Sequence, residues 1–456
     1  MLKSRLGTTL FAVVAAAENP FSIASNPSII ESARTLAYDT MAYYKGNLSG
    51  NVPGVLPGPP PAGDYYWWEG GALWGAMIDY WHYTGDTSYN DVVKQAMLFQ
   101  VGEGDDYMPK NYTSSLGNDD QGFWGMSAML AAETGFENPD SAQPQWLALA
   151  QAVFNTQAAS DRHDSTCGGG LRWQIPSTNN GYDYKNSIAN GVFFNLGARL
   201  ARYTGNSTYA TFANETWNWM KNVVKYIDDD YNIYDGGHVE HNCTDINKAQ
   251  FSYNSAVFLQ GAAFLYNFTN GSAVWKYEVD HLLNATIRNF FPNDTAYEPA
   301  CEADLSCTTD MWTFKGFVAR WMATVTQVAP YTTDIIMPIL RHSAGKAIAQ
   351  CTGGADGRQC GFSWLEGVYD DKTGCGQEMS VMSAVIALMA TDRNAPVSAH
   401  TGGTSLGNPS AGSNSNTFLP TYRPVKAGDK AAASVLTFFI ILGSVSLYTW
   451  MCMGST

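Results

Sequence analysis

The feature that most limits what this chain can fold into is a sixfold alternation of two kinds of helix-like segment. One kind is apolar on every side, with glycine and alanine among large residues and often a "TG" or polar stop. These segments begin near Trp67 (WWEGGALWGAMIDYWHYTG), Asp119 (DDQGFWGMSAMLAAETG), Lys185 (KNSIANGVFFNLGARLARYTG), Tyr253 (YNSAVFLQGAAFLYNFTNG), Met311 (MWTFKGFVARWMATVTQV) and Gln377 (QEMSVMSAVIALMA). A helix without a polar face is expected to be buried. Ahead of each lies an amphipathic candidate helix, at 27–44, 86–101, 141–159, 207–226, 272–290 and 332–351. The pattern returns every 50–70 residues or so, longer than most solenoid repeats. An all-α (α/α)6 barrel, six inner helices ringed by six outer ones, satisfies it as one domain. An open solenoid is the alternative. Sustained apolar–polar alternation is missing, so strand signal is sparse.

A barrel of this kind sets its inner helices parallel, so their N-termini emerge at one end. The residues gathered there are Trp67, Trp68 and Glu69; Asp119, Asp120 and Gln121; Tyr184, Lys185 and Asn186; Tyr253 and Asn254; Asp310, Trp312 and Lys315; and Gln377 and Glu378. Two adjacent aspartates at a helix start read first as caps, where a carboxylate meets free N–H groups and the positive end of the dipole. Here they open a helix expected to be buried, where an unpaired charge is costly. Two carboxylates about 5 Å apart are what a retaining glycosidase requires. In the first helical turn both side chains can reach one sugar. The other acidic run, YIDDDYN around Asp228, lacks such a setting and reads as a solvated helix end and loop.

The termini address the chain to the secretory route. A basic start at Lys3 and Arg5, a short apolar run and Ala15–Ala16–Ala17 follow the grammar of a cleaved signal peptide, assigned to 1–17. Residues 18–395 form the expected catalytic domain. A Gly/Ser/Pro-rich segment, 396–428, reads as a flexible stalk. The apolar tail, 429–456, reads as a signal for a glycosylphosphatidylinositol (GPI) anchor, with a single-pass helix as the alternative. The attachment residue falls between Ser410 and Gly428. N-x-[ST] sequons at Asn47, Asn111, Asn206, Asn214, Asn242, Asn267, Asn270, Asn284 and Asn293 agree with secretion. So do the cysteines Cys167, Cys243, Cys301, Cys307, Cys351, Cys360 and Cys375, whose odd number leaves one thiol over. The net charge of −15 argues against nucleic acid and against docking on anionic lipid. The 14 Trp and 25 Tyr suit a sugar-stacking cleft or a large core.

Several stretches, NDDQGFW, CGGGLRWQI, YKNSIANG, YDGG, SYNSAVFLQGAAFLY and FKGFVARW, occur in the order and character of glycoside hydrolase family 76. The chain from about 27 to 391 resembles that family of (α/α)6-barrel endo-α-1,6-mannanases. With its signal, sequons and tail it is similar to the fungal cell-wall branch. The resemblance implies Asp119 as nucleophile and Asp120 as general acid/base, with Asp119 ionised by the helix N-terminus and Asp120 raised. It implies α-1,6-mannan or the mannose core of GPI anchors as donor. Water or wall glucan would be the acceptor, the latter cross-linking anchored proteins into the wall. No cofactor is called for.

Around the pair, Trp67, Trp68, Trp124 and Trp312 are candidates to stack on sugars, with core packing as the alternative. Arg172, Lys185 and Lys315 are candidates for hydroxyls or a phosphate, with internal salt bridges as the alternative. Glu69, Gln121, Tyr184, Asn186, Asp235, Tyr253, Asn254 and Asp310 complete the candidate subsites. A metal-dependent cyclase would want another carboxylate one turn later, where Gln121, Gly122 and Phe123 stand. HVEHNC offers His238, His241 and Cys243 but no fourth zinc ligand, and Cys243 is read as a disulfide partner. A calcium loop from Asp228 fails because Ile233 holds the glycine position. A non-catalytic mannan-binding wall protein is the competing function.

Overall fold

The computed structural model describes residues 19–113, 116–413 and 426–453. The expected signal peptide and residues 414–425 of the expected stalk lie outside them. Two compact units result, 1–416 and 417–456.

In the first unit the inner helices are α2 (Trp67–Thr84), α4 (Asn118–Thr134), α6 (Ser187–Thr204), α8 (Ser252–Phe268), α10 (Phe314–Val328) and α12 (Cys375–Ile386). Each packs on the next, and α12 returns to α2, closing the ring. The outer helices are α1 (Asn26–Met41), α3 (Asn90–Phe99), α5 (Trp146–Ala158), α7 (Ser207–Asn218), α9 (Ala273–Phe290) and α11 (Thr333–Ala349). The closed (α/α)6 barrel is thus formed, and the open solenoid is excluded.

Glycines explain how bulky inner helices close so tightly. A Cβ at Gly122 of α4 would lie 2.3 Å from Val192 of α6, and one at Gly191 of α6 would lie 2.6 Å from Val257 of α8. The "TG" stops are left-handed caps: Gly85, Gly135 and Gly205 end α2, α4 and α6 with φ of 77°, 68° and 74°. Two ion pairs lie deep in the barrel, Arg199–Glu133 (2.6 Å) and Arg320–Asp79 (2.5 Å). Removing one partner of such a pair strands a buried charge.

The expected starts shift slightly at two inner helices. Tyr184–Asn186 forms a short strand, β1, antiparallel to β2 (Gly236–His238), and Asn186 caps α6. Asp310–Thr313 is a 3-10 turn leading into α10. Disulfides join Cys167–Cys243, Cys301–Cys307 and Cys351–Cys360, and the leftover thiol is the buried Cys375. Eight sequon asparagines are exposed. Asn267 is the exception: half-buried, it donates to the Val328 carbonyl (2.9 Å) and accepts from Arg202 (2.8 Å), so its amide is not presented for glycosylation.

The stalk assigned to 396–428 requires correction. Its described part, to Ser413, is a strap bonded to the barrel. The Val397 and Ala399 amides donate to the Glu133 and Tyr203 carbonyls (2.7 and 3.0 Å). The Leu147 amide donates to Ser405 Oγ (3.0 Å), the Asn408 amide to Gln151 Oε1 (2.6 Å), and Asn155 Nδ2 to the Ala411 carbonyl (2.7 Å). Glycine and serine serve close approach here: a Cβ at Gly412 would stand 2.5 Å from the Ala152 carbonyl oxygen. In the second unit, α13 (Ala427–Met453) is a 27-residue helix with an 18-residue window of mean hydropathy 1.9, long and apolar enough to cross a membrane.

A secreted chain ending at residue 395 is expected to be less stable than one ending at 413, by about 2–4 kcal/mol from the lost strap bonds. Calorimetric melting of the two checks this, and identical melting would return the strap to a passive linker.

Candidate active site

Each outer helix is joined to the next inner helix by a long connection, and all of these lie at the end where the inner helices begin. They enclose a cleft of about 610 Å³. Five inner helices bring their first turns to it, through Trp68, Asp120, Asn186, Tyr253 and Phe314. The sixth does not: Gln377 and Glu378 of α12 are buried, and Glu378 accepts the Cys360 amide (2.9 Å).

The aspartate pair owes its pose to the residues before it. Gly117, the N-cap of α4, donates its amide to Asp120 Oδ2 (2.7 Å), while Asp119 Oδ1 accepts the Asp120 amide (3.1 Å). Both carboxylates therefore curl back over free N–H groups of the helix start. Only a glycine leaves them room, because a Cβ at 117 would lie 2.2 Å from Asp119 Oδ1. Asn118 fixes the turn from behind. Its amide and side chain donate to the Trp173 and Arg172 carbonyls (2.8 and 2.9 Å). Arg162 and Gln157 donate to its two oxygens (2.8 and 2.7 Å).

Burial, then the charge of Asp120, pushes the Asp119 carboxyl well above the usual range, against the amide bonds and Asn186 that favour its anion. Burial raises Asp120 to about 7, offset by the Gly117 amide and reinforced by the charge of Asp310. The expectation that the helix N-terminus keeps Asp119 ionised is therefore not met in the open cleft. Desolvation opposes capping, and the charge of Asp120 adds to the rise at Asp119.

Two more carboxylates flank them. Asp310 accepts from Trp68 Nε1 (3.1 Å), and Asp235 from the Tyr184 hydroxyl (2.7 Å) and Asn247 (3.3 Å). Burial raises both. Trp67 and Trp68 line the cleft, and Tyr253 lies flat on Phe314, centroids 3.8 Å apart.

Eight candidate residues are not on the cleft surface. Trp124 is fully buried in an aromatic ladder between Trp67 (5.1 Å) and Tyr107 (5.5 Å), backing the wall rather than forming it. Trp312 packs on the Cys301–Cys307 disulfide and Phe362. Gln121 is spent on the Asp106 carbonyl and Thr156, and Asn254 is fully buried. Glu69 caps its own helix through the Tyr66 amide (2.7 Å), and burial raises its carboxyl.

The three cations turn away as well. Lys315 pairs with Glu302 (2.7 Å) and Arg172 with Asp164 (2.6 Å). Lys185 binds Asp164 and the carbonyls of Thr166, Gly169 and Gly170. No Lys or Arg among the described residues lines the cleft. A cation at a helix start is equally able to close a loop, which spacing cannot reveal. Conversely, Trp173, Phe123 and Phe251 line the cleft and were missed. Trp173 stood inside a quoted motif, CGGGLRW, but on a loop whose course has no periodic signal.

Outside the cleft, Cys243 is bonded to Cys167, while His238 pairs with Asp245 (2.6 Å). The HVEHNC stretch is thereby committed to a disulfide and a surface ion pair.

Known proteins agree with this architecture. The model for glycosyl hydrolase family 76 matches residues 28–400. The mannan endo-1,6-alpha-mannosidase DCW1 of Saccharomyces cerevisiae is 42% identical over 425 residues, 93% of each chain. A putative mannan endo-1,6-alpha-mannosidase of Schizosaccharomyces pombe is 44% identical over 391 residues, 85% of this chain and 87% of that one. The crystal structure of Dfg5 from Chaetomium thermophilum in complex with glucosamine superposes with a TM-score of 0.85 at 57% identity, covering 87% and 98% of the two chains. An inactive variant of a Salegentibacter alpha-1,6-mannanase, in complex with alpha-1,6-mannotriose, shares the fold at a TM-score of 0.61 and 15% identity, covering 79% and 99%. A closed barrel with paired aspartates at the mouth of its second inner helix, matched along 28–400, places this chain in glycoside hydrolase family 76.

Proposed function

We propose that the chain is a retaining endo-α-1,6-mannosidase or transglycosidase in which Asp119 and Asp120 carry the chemistry. The supporting observation is the pair itself, curled over the α4 N-terminus in an aromatic, acidic cleft that no Lys or Arg among the described residues lines. In the first step an Asp119 oxygen bonds to C1 of a mannose as the C1–O glycosidic bond breaks. Asp120 gives its proton to the departing oxygen. In the second, an acceptor hydroxyl attacks C1, the Asp119–C1 bond breaks, and Asp120 takes the proton back. Water as acceptor gives hydrolysis and a glycan hydroxyl gives transfer.

The donor is α-1,6-mannan or the mannose core of a GPI anchor, and wall glucan is the natural transfer acceptor. This reading rests on the relatives' activity and on an apolar tail suited to a GPI signal, which would hold the enzyme at the outer face of the plasma membrane and in the wall. A phosphate on the donor finds no cation among the described residues that line the cleft, so the glycan itself carries recognition.

The secreted domain with α-1,6-mannan oligosaccharides and a GPI-core glycan, products followed by mass with and without glucan, tests the proposal. Asp119→Asn is expected to cut turnover by at least about 10⁴-fold and Asp120→Asn by about 10²–10⁴-fold. Unchanged turnover would return the pair to helix capping, and binding without turnover by the parent would favour a mannan-binding wall protein. Gly117→Ala displaces the Asp119 carboxylate and is expected to cost about 10²-fold in kcat with the fold intact by circular dichroism.

The pH profile is a further check. The pair works with one proton, so kcat/KM falls at low pH when both carboxyls are protonated. It falls again as pH rises through about 7, where Asp120 loses its proton. Asp310→Asn removes a charge that raises Asp120 and moves the alkaline limb to lower pH. A limb unmoved by that change would contradict the assignment.

A further inference from the structure

Among the tryptophans of the cleft, Trp173 is set apart; the other open ring there is Tyr66, a smaller phenol 43% exposed. Trp67 lies between Tyr112 and Trp124, Trp68 rests on Phe123, and Tyr253 is covered by Phe314. Trp67 and Trp68 are each 8% exposed, whereas Trp173 is 37% exposed, and no aromatic ring contacts it among the described residues. An indole with a bare face beside a catalytic pair matches the apolar face of a pyranose ring.

The loop beneath it is built to hold that face still. The Trp173 amide donates to the Tyr184 carbonyl (2.7 Å), and its own carbonyl accepts the Asn118 amide (2.8 Å), one residue before the pair. The ring rests on Gly181, whose φ is +86° and where a Cβ would come within 2.4 Å of the indole. Leu171 exchanges both backbone bonds with the Asn190 amide of α6 (2.8 and 3.0 Å). The fully buried Lys185 gathers the Thr166, Gly169 and Gly170 carbonyls, and Arg172 reaches the Tyr182 carbonyl (2.9 Å) and covers its ring. Cys167–Cys243 ties the far end. Two of the three cations expected to touch substrate, Arg172 and Lys185, are thus spent on stiffening the arm that carries Trp173. A platform held rigid before binding loses little entropy on meeting its ligand.

We propose that Trp173 is a sugar-stacking subsite, taking the apolar face of a mannose unit next to the one that reacts. The inference rests on the glycan-cleaving reading above for the identity of the sugar, and its own geometry is independent of the catalytic steps.

The test measures two things on the secreted domain. Calorimetric binding of α-1,6-mannotetraose and mannobiose to the Asp119→Asn protein is compared with the same protein carrying Trp173→Ala, Trp173→Phe or Gly181→Val. Turnover of the tetraose is then followed with Trp173→Ala and Trp173→Phe alone. Trp173→Ala is expected to weaken tetraose binding and raise KM at least tenfold, with kcat within about threefold of the parent. Mannobiose should lose less, Trp173→Phe should recover most of the affinity, and Gly181→Val should mimic the alanine. Unchanged affinity and KM would overturn the proposal. So would a fall in kcat at constant KM, the sign of a loop that merely props Asn118. A parent that binds the tetraose without cleaving it refutes the glycosidase reading while the binding comparison still decides Trp173; a parent that does not bind it refutes both.

Discussion

Six helices can close a ring only if each approaches its neighbour closely along much of its length, and in this protein that approach is made through missing side chains. Gly122 admits Val192, Gly191 admits Val257, and Gly316 of α10 lies against Ser380 of α12. Once these contacts fix the ring, the inner helices share a direction, and six sets of unsatisfied amides face one end. The cleft follows from that geometry. Its floor is made of helix starts, where carboxylates are held without cations, and its walls are the long connections between outer and inner helices.

The same constraint sets the electrostatic character of the site. Asp119, Asp120, Asp235 and Asp310 crowd a partly desolvated space, and burial pushes each carboxyl upward. Backbone amides and an indole N–H hold them in place. The positive charges are kept behind the walls, on Glu302, Asp164 and loop carbonyls. A neutral polyol meets hydroxyl acceptors and flat apolar faces here. A lysine beside these carboxyls would stabilise their anions and lower them again.

How much of this is legible in the sequence depends on whether a residue's role is set by periodicity. The alternation of all-round apolar and amphipathic segments reports burial directly, so the barrel and the parallel helix starts could be read from WWEGGALWGAMIDYWHYTG and its counterparts. Asp119–Asp120 was legible because its address on an inner helix was. Direction within a helix turn is not: Gln121 and Trp124 share the first turns of α4 with the pair yet point into the wall. Nor does composition separate a swinging linker from a docked one. Serine and glycine at 405 and 412 suit a flexible stalk, but also a strap that must lie flat on α5. Trp173 escaped notice because its exposure is created by Gly181, Asn118 and Tyr184, which are distant or unpatterned in the chain.

The strap also decides where a pull on the C-terminal tail would be felt. Tension arriving at Ser413 meets the bonds from Asn155 to Ala411, then Gln151 to Asn408, then Leu147 to Ser405, in sequence along a single outer helix. Those bonds must peel one after another before force reaches Val397 and the last inner helix. A barrel pulled through such a seam yields first at a sacrificial margin, and its ring and cleft are mechanically insulated from a load on the C-terminal side.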